Sequence, residues 1–99
     1  MRSKLTKYNP LLQIPWIGKV IAHDLVEMGF TKVDDLRGQN PEVIYEMANK
    51  LRGSIQDPCL LYTFRCAVYF ADTPPEKRDP ELLKWWNWKN KKYEAQNTK

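Results

Sequence analysis

A helix that is apolar around its whole circumference has no face to give to water and must be covered on every side. This chain contains one such segment. Over residues 58–71, Leu60, Leu61, Phe64, Ala67 and Val68 alternate with Tyr62, Cys66, Tyr69 and Phe70, and only Thr63 and Arg65 interrupt them. A chain of 99 residues is too short to build two cores. The segment is therefore read as the central post of a single core, and the remaining segments as what covers it.

Those segments carry helical spacing and helix punctuation, with no run of strand-period alternation, so the expected class is all-α. Asn9-Pro10 reads as a cap and first residue of a short helix reaching Gln13. Ile21, Ala22, Leu25 and Met28 share a face opposite Asp24 and Glu27, and Gly29 is placed to end that helix. Thr31 and Asp34 resemble a capping box opening one turn through Val33 and Leu36, stopped by Gly38. Asn40-Pro41-Glu42 opens a helix through Val43, Ile44, Met47, Ala48 and Leu51 to Gly53, and Asp57-Pro58 opens the central one. Thr73 to Arg78 is linker-like.

Asp79-Pro80-Glu81 is the clearest start signal, and it leads into Leu82-Leu83-Lys84-Trp85-Trp86-Asn87-Trp88. A C-terminal helix is expected over residues 80–89, docked on the central post because a free helix would expose three indoles. The expected organisation is a flexible basic N-terminus at 1–9, one helical domain at 10–89 and a frayed basic tail at 90–99. Residues 10–53 form the part built around a helical hairpin.

The stretch from Leu11 to Leu25 reads as an apolar turn, a tight Pro15/Gly18 connection and a second amphipathic helix, the layout of a helix-hairpin-helix motif. Gly18 supplies backbone freedom where the second helix begins. The first amides of a helix lack intrahelical acceptors and suit an anion. The candidate phosphate site is therefore the amides of Ile17, Gly18, Lys19 and Val20, with the Lys19 ammonium beside them. Such motifs usually carry a glycine where this chain has Trp16. An indole there costs strain or blocks a phosphate, or else stacks on a base or a partner surface.

Charge is unevenly spread: residues 1–10 carry a net +3, residues 11–72 a net −2 and residues 73–99 a net +3. The overall +4 suits a polyanionic partner, although the cations lie mainly toward the ends. No apolar run approaches a membrane span and no secretory leader is legible, so a cytoplasmic monomer without membrane attachment is expected. Two cysteines do not make a disulfide framework. If Cys59 and Cys66 share one helix they lie about 10 Å apart along it, too far for one zinc ion, and His23 is the only histidine. No metal, cofactor or catalytic set is expected, because a nucleophile-base pair and a nucleotide loop are both missing. The adjacent acids Asp34 and Asp35 point apart on a helix and read as a complement to its dipole.

The pieces Ile14-Pro15-x-Ile17-Gly18-Lys19, Val33 to Gly38, Phe64 to Tyr69 and Glu81 to Trp88 together resemble the pathogenicity-locus family of small bacterial proteins. The likeness covers about residues 10–89, and Leu82 to Trp88 is its most specific piece. It implies a helix-hairpin-helix (SAM-like) fold with an added helical C-terminus. Some members carry mitomycin-resistance names, and the likeness carries over no activity. The leading expectation is sequence-independent binding of DNA phosphates through Trp16, Ile17, Gly18, Lys19 and Val20. The alternative is a protein-interaction module in which Trp16 and Ile17 form an apolar contact.

Overall fold

Residues 10–93 are described by a computed structural model. The expectations placed on residues 1–9 and on the end of the tail, 94–99, lie outside the described residues. Three α-helices, α1 (Lys19–Glu27), α2 (Pro41–Arg52) and α3 (Pro58–Asp72), are joined and flanked by 3-10 turns at Pro10–Gln13, Val33–Leu36, Pro75–Lys77, Pro80–Leu83 and Trp85–Trp88. Among the described residues there is no strand, and the fold is all-α. None of these helices is long and apolar enough to cross a membrane.

The local signals act where the spacing puts them. Asn40 and Asp57 accept from the Glu42 and Cys59 amides, each at 2.9 Å, with proline at the first helical position. Gly53 closes α2 at φ 75°, a conformation that favours glycine. The turn at Val33–Leu36 differs by one residue. Asp35, not Asp34, accepts from the Thr31 amide at 2.9 Å, the Thr31 hydroxyl at 3.2 Å and the Lys32 amide at 3.3 Å. The Thr31 amide is the main cause holding the Asp35 carboxyl below its ordinary range.

Helix α3 is the central post. Between Thr63 and Ala71 every residue except Tyr69 is buried, and Leu11, Ile14, Leu25, Leu36, Ile44 and Trp88 close around it. The two polar interruptions are buried as well, and each is bonded. The Thr63 hydroxyl donates to the Cys59 carbonyl at 2.9 Å. The Arg65 guanidinium donates from Nη1 to the Trp88 carbonyl and from Nη2 to Glu42 Oε2, both at 2.8 Å. A buried cation costs several kcal/mol unless it is paired. Arg65 thereby ties the start of α2 and the C-terminal segment to the post. Arg78 does the same at the far end: its Nε donates to the Phe70 and Thr73 carbonyls, and its guanidinium lies 3.6 Å from the Phe70 ring centroid.

The C-terminal segment docks on α3, but not as the single helix expected over 80–89. It forms two 3-10 turns separated at Lys84, whose backbone is extended at φ −102° and ψ 117°. The reason is competition for carbonyls. In an α-helix Leu82 O and Leu83 O would accept from the amides four residues on. Here Leu82 O accepts from Trp88 Nε1 at 2.9 Å and from the Cys66 thiol at 3.6 Å, and Leu83 O accepts from Trp16 Nε1 at 2.6 Å. Breaking the helix lets Trp88 turn inward to 2% exposure, against Tyr69 and Tyr93 at centroid distances of 5.6 and 5.7 Å.

The tail expected to fray over 90–99 is packed at Tyr93. Tyr93 is buried, and its hydroxyl donates to Asp72 Oδ2 at 2.5 Å, while Asp72 Oδ1 accepts from the Gly38 amide at 2.8 Å. One carboxylate at the end of α3 thus joins the tail to the turn that precedes α2.

Candidate functional site

The segment that leads into α1 is anchored from beneath by aliphatic side chains. Leu11, Ile14 and Ile17 are each no more than 4% exposed, and two successive tight turns bring them together: the Ile14 amide donates to Leu11 O at 3.1 Å and the Ile17 amide to Ile14 O at 3.2 Å. Helix α1 presents Ala22 and Leu25 to the core. Asp24 on its flank accepts from Arg52 at 2.7 Å, which fixes α1 against the end of α2.

Between the two isoleucines lies the unusual residue. Trp16 has φ 72°, the only positive φ on a non-glycine residue among those described. That conformation crowds Cβ against the backbone and costs about 1–2 kcal/mol for an ordinary side chain. What holds it there comes from the other end of the chain. The indole N–H is bonded to Leu83 O, and the ring meets Trp86 edge-to-face at 5.3 Å between centroids. Trp16 takes the backbone form that a glycine would take in this turn, and its side chain is drawn onto the C-terminal segment. Of the readings open for this position the strain is realised, and the ring remains 49% exposed.

Gly18 does not play the part the sequence suggests. At φ −93° and ψ −172° it is extended, a backbone any residue adopts, so the conformational demand falls on Trp16 instead. A Cβ placed on Gly18 would meet no atom within 4 Å, so the space beside it is open.

The first α-helical bond of α1 runs from the Ala22 amide to Gly18 O at 2.9 Å, which leaves the amides before it without intrahelical acceptors. Gly18 offers no side-chain cap, and the first turn contains no acid. Helices α2 and α3, by contrast, are both capped by side chains. Of the four amides in the candidate site, that of Ile17 is consumed inside the hairpin and its side chain is in the core. Gly18, Lys19 and Val20 remain at the surface together, Val20 at 63% exposure.

The other reactive side chains lie elsewhere. Cys66 is fully buried on α3, and burial pushes its thiol up to about 12. Cys59 is exposed in the first turn of the same helix, and its thiol is raised by hydrogen bonding with the Asp57 carboxylate and then by desolvation. The His23 side chain is largely exposed, 3.8 Å from Glu27. No three His, Cys, Asp or Glu side chains among the described residues group in a way that could hold a metal ion.

Two residues of the hairpin's surroundings were not read from the sequence: Leu83, as the acceptor for Trp16, and Trp86, as its ring partner. The available signal was the density of tryptophan, since three indoles in four residues cannot all face one core. The structure divides them. Trp88 is in the core, Trp85 lies stacked on Tyr62 at 6.5 Å and 10°, and Trp86 is 47% exposed beside Trp16.

No solved structure matches this chain. One curated relative, named mitomycin resistance protein McrB, from Streptomyces lavendulae, is 31% identical over 72 residues. The matched stretch spans 73% of this chain but only 63% of that protein's length. The family model described as pathogenicity locus matches residues 4–94, a span that takes in the turn before α1, the central post and the tryptophan-rich segment, and the chain belongs to that family.

Proposed function

We propose that this protein binds nucleic acid through the sugar-phosphate backbone, without enzymatic activity, using the turn before α1 in the manner of a helix-hairpin-helix motif. A single observation carries this reading. Trp16 holds the left-handed turn at φ 72° with its indole bonded to Leu83, and immediately after it stand the uncapped amides of Gly18, Lys19 and Val20. Donors converging at the positive end of a helix dipole suit a phosphate, and Lys19 adds a full positive charge. The net charge of +4 and sequence pI of about 9.1 favour a polyanion. Backbone contacts of this kind carry no base code, so the binding is sequence-independent.

A second reading, a protein-interaction module, draws on the half-exposed rings of Trp16 and Trp86. Salt separates the two. Phosphate binding weakens linearly in log affinity against log salt, with a slope of about one unit for each phosphate neutralised, whereas an apolar contact is nearly insensitive to salt. The test is the affinity of labelled DNA for the full chain across a salt series. A shallow negative slope is expected, with Lys19→Glu suppressing binding. Binding that survives Lys19→Glu and disappears when residues 1–9 and 94–99 are removed would place the contact in the tails and overturn the proposal.

A further inference from the structure

We infer that the exposed rings of Trp16 and Trp86 form a stacking site for unpaired bases, so that the preferred ligand is single-stranded nucleic acid rather than duplex. This rests on the phosphate reading of the hairpin and adds to it the form of the strand.

The rings are organised as a strip that runs from the central post to the hairpin. Tyr62 stacks on Trp85, Trp85 meets Trp86 edge-to-face at 5.7 Å, and Trp86 meets Trp16 edge-to-face at 5.3 Å. Exposure rises along it: Tyr62 and Trp85 are half-buried, while Trp86 and Trp16 are 47% and 49% exposed. Half of each indole is therefore spent on fixing the ring, and half is left in water. Trp16 is doubly constrained, by its backbone at φ 72° and by the bond to Leu83 O. A rigid ring loses little conformational freedom when a base stacks on it. Holding a large aromatic residue in a disfavoured backbone conformation while about half of it stays in water points to function more than to packing.

The choice of occupant follows from what lies next to the rings. Trp16 is two residues before Gly18, at most about 7 Å along the chain, so a strand whose phosphate sits on the amides of Gly18, Lys19 and Val20 brings its base within reach of the indole. Base-aromatic stacking beside cationic contacts to the backbone is how sequence-tolerant single-strand binders work, since every base has a π-face. A duplex keeps its bases stacked on one another and offers these rings nothing. The local charge agrees with a polyanion: Lys19 is exposed at the start of α1, and that first turn contains no acid.

The test compares a labelled oligothymidylate with a duplex of the same length at low salt, using the full chain. The wild type is expected to favour the single strand. Trp86→Ala should weaken single-strand affinity about thirtyfold, the middle of the range for loss of one stacked base, and leave duplex affinity unchanged. Trp86→Phe, which keeps an aromatic face, should retain most of the preference and guards against a folding defect. Lys19→Glu should weaken binding of both ligands. Unchanged single-strand affinity in Trp86→Ala overturns the stacking site, while continued sensitivity to Lys19→Glu in the same experiment leaves the phosphate reading standing. Absence of binding to either ligand in the wild type overturns both.

Discussion

Trp16 and Trp88 lie at opposite ends of the chain and make the same hydrogen bond. Each donates its indole N–H to one of two consecutive carbonyls, Leu83 O and Leu82 O, that the break at Lys84 leaves available. Their environments then diverge. Trp88 is 2% exposed in a 3-10 turn, with Tyr69 and Tyr93 against it, whereas Trp16 is 49% exposed in a left-handed conformation. The comparison separates two uses of one side chain. Trp88 contributes apolar burial, the largest stabilising contribution an aromatic residue makes. Trp16 closes a strained turn and leaves about half of itself in solvent, which lowers its value for stability.

The comparison can be broken by mutation, and the largest effect belongs to the buried ring. Trp88→Ala should cost about 3–5 kcal/mol in denaturant unfolding, because it leaves a cavity beside α3 and deprives Leu82 O of its indole donor. Trp16→Ala should cost less, about 2 kcal/mol, since part of the ring is already in water. Equal costs at the two positions would contradict the division of roles.

The strain itself can be measured by difference. Trp16→Gly and Trp16→Ala lose the same bond to Leu83 and the same contact with Trp86, but glycine accepts φ 72° freely. The glycine variant should therefore be the more stable of the two by about 1 kcal/mol. No difference between them would mean that the turn relaxes when the indole is removed.

Smaller still is the effect expected at Gly18. With an extended backbone and open space beside it, Gly18→Ala should change stability by less than about 0.5 kcal/mol. A large loss would show that glycine is needed by the fold. The thiols provide a check read by labelling rate instead of stability. Cys66, raised to about 12 by burial, should resist a thiol reagent at neutral and mildly alkaline pH until the protein unfolds. Cys59 should react first. Since the Asp57 carboxylate raises its thiol, Asp57→Asn should increase the thiolate fraction and speed its labelling.

What was legible in the sequence was short-range. Asn40-Pro41 and Asp57-Pro58 specify helix starts through a side chain reaching an amide two residues on, and the packing of α3 follows from its own apolar circumference. What escaped depends on partners distant in the chain. Pro80 to Lys89 has a helix's start signal and apolar content, but its carbonyls are claimed by an indole six residues away and by another 67 residues away, and local propensity contains neither. The shift of the cap from Asp34 to Asp35 is a local miss, a one-residue slip within a four-residue turn.

The candidate site divides the same way. Gly18, Lys19 and Val20 could be named from the hairpin pattern and lie together at the surface. The strain at Trp16 was legible too, but its anchorage was not, because it depends on how the chain closes on Leu83 and Trp86; the occupied amide of Ile17 is a local turn bond to Ile14 O that the pattern did not single out.

Phosphate binding by the amides at the start of α1, as proposed above, is read by following backbone amide resonances while a short oligonucleotide is added at low salt. Shifts are expected at Gly18, Lys19 and Val20, with Ile17 changing less because its N–H is bonded to Ile14 O, and Lys19→Glu should suppress them. Silent amides at these three positions, with shifts confined to the cations near the chain ends, such as Lys89, Lys91 and Lys92, would contradict it.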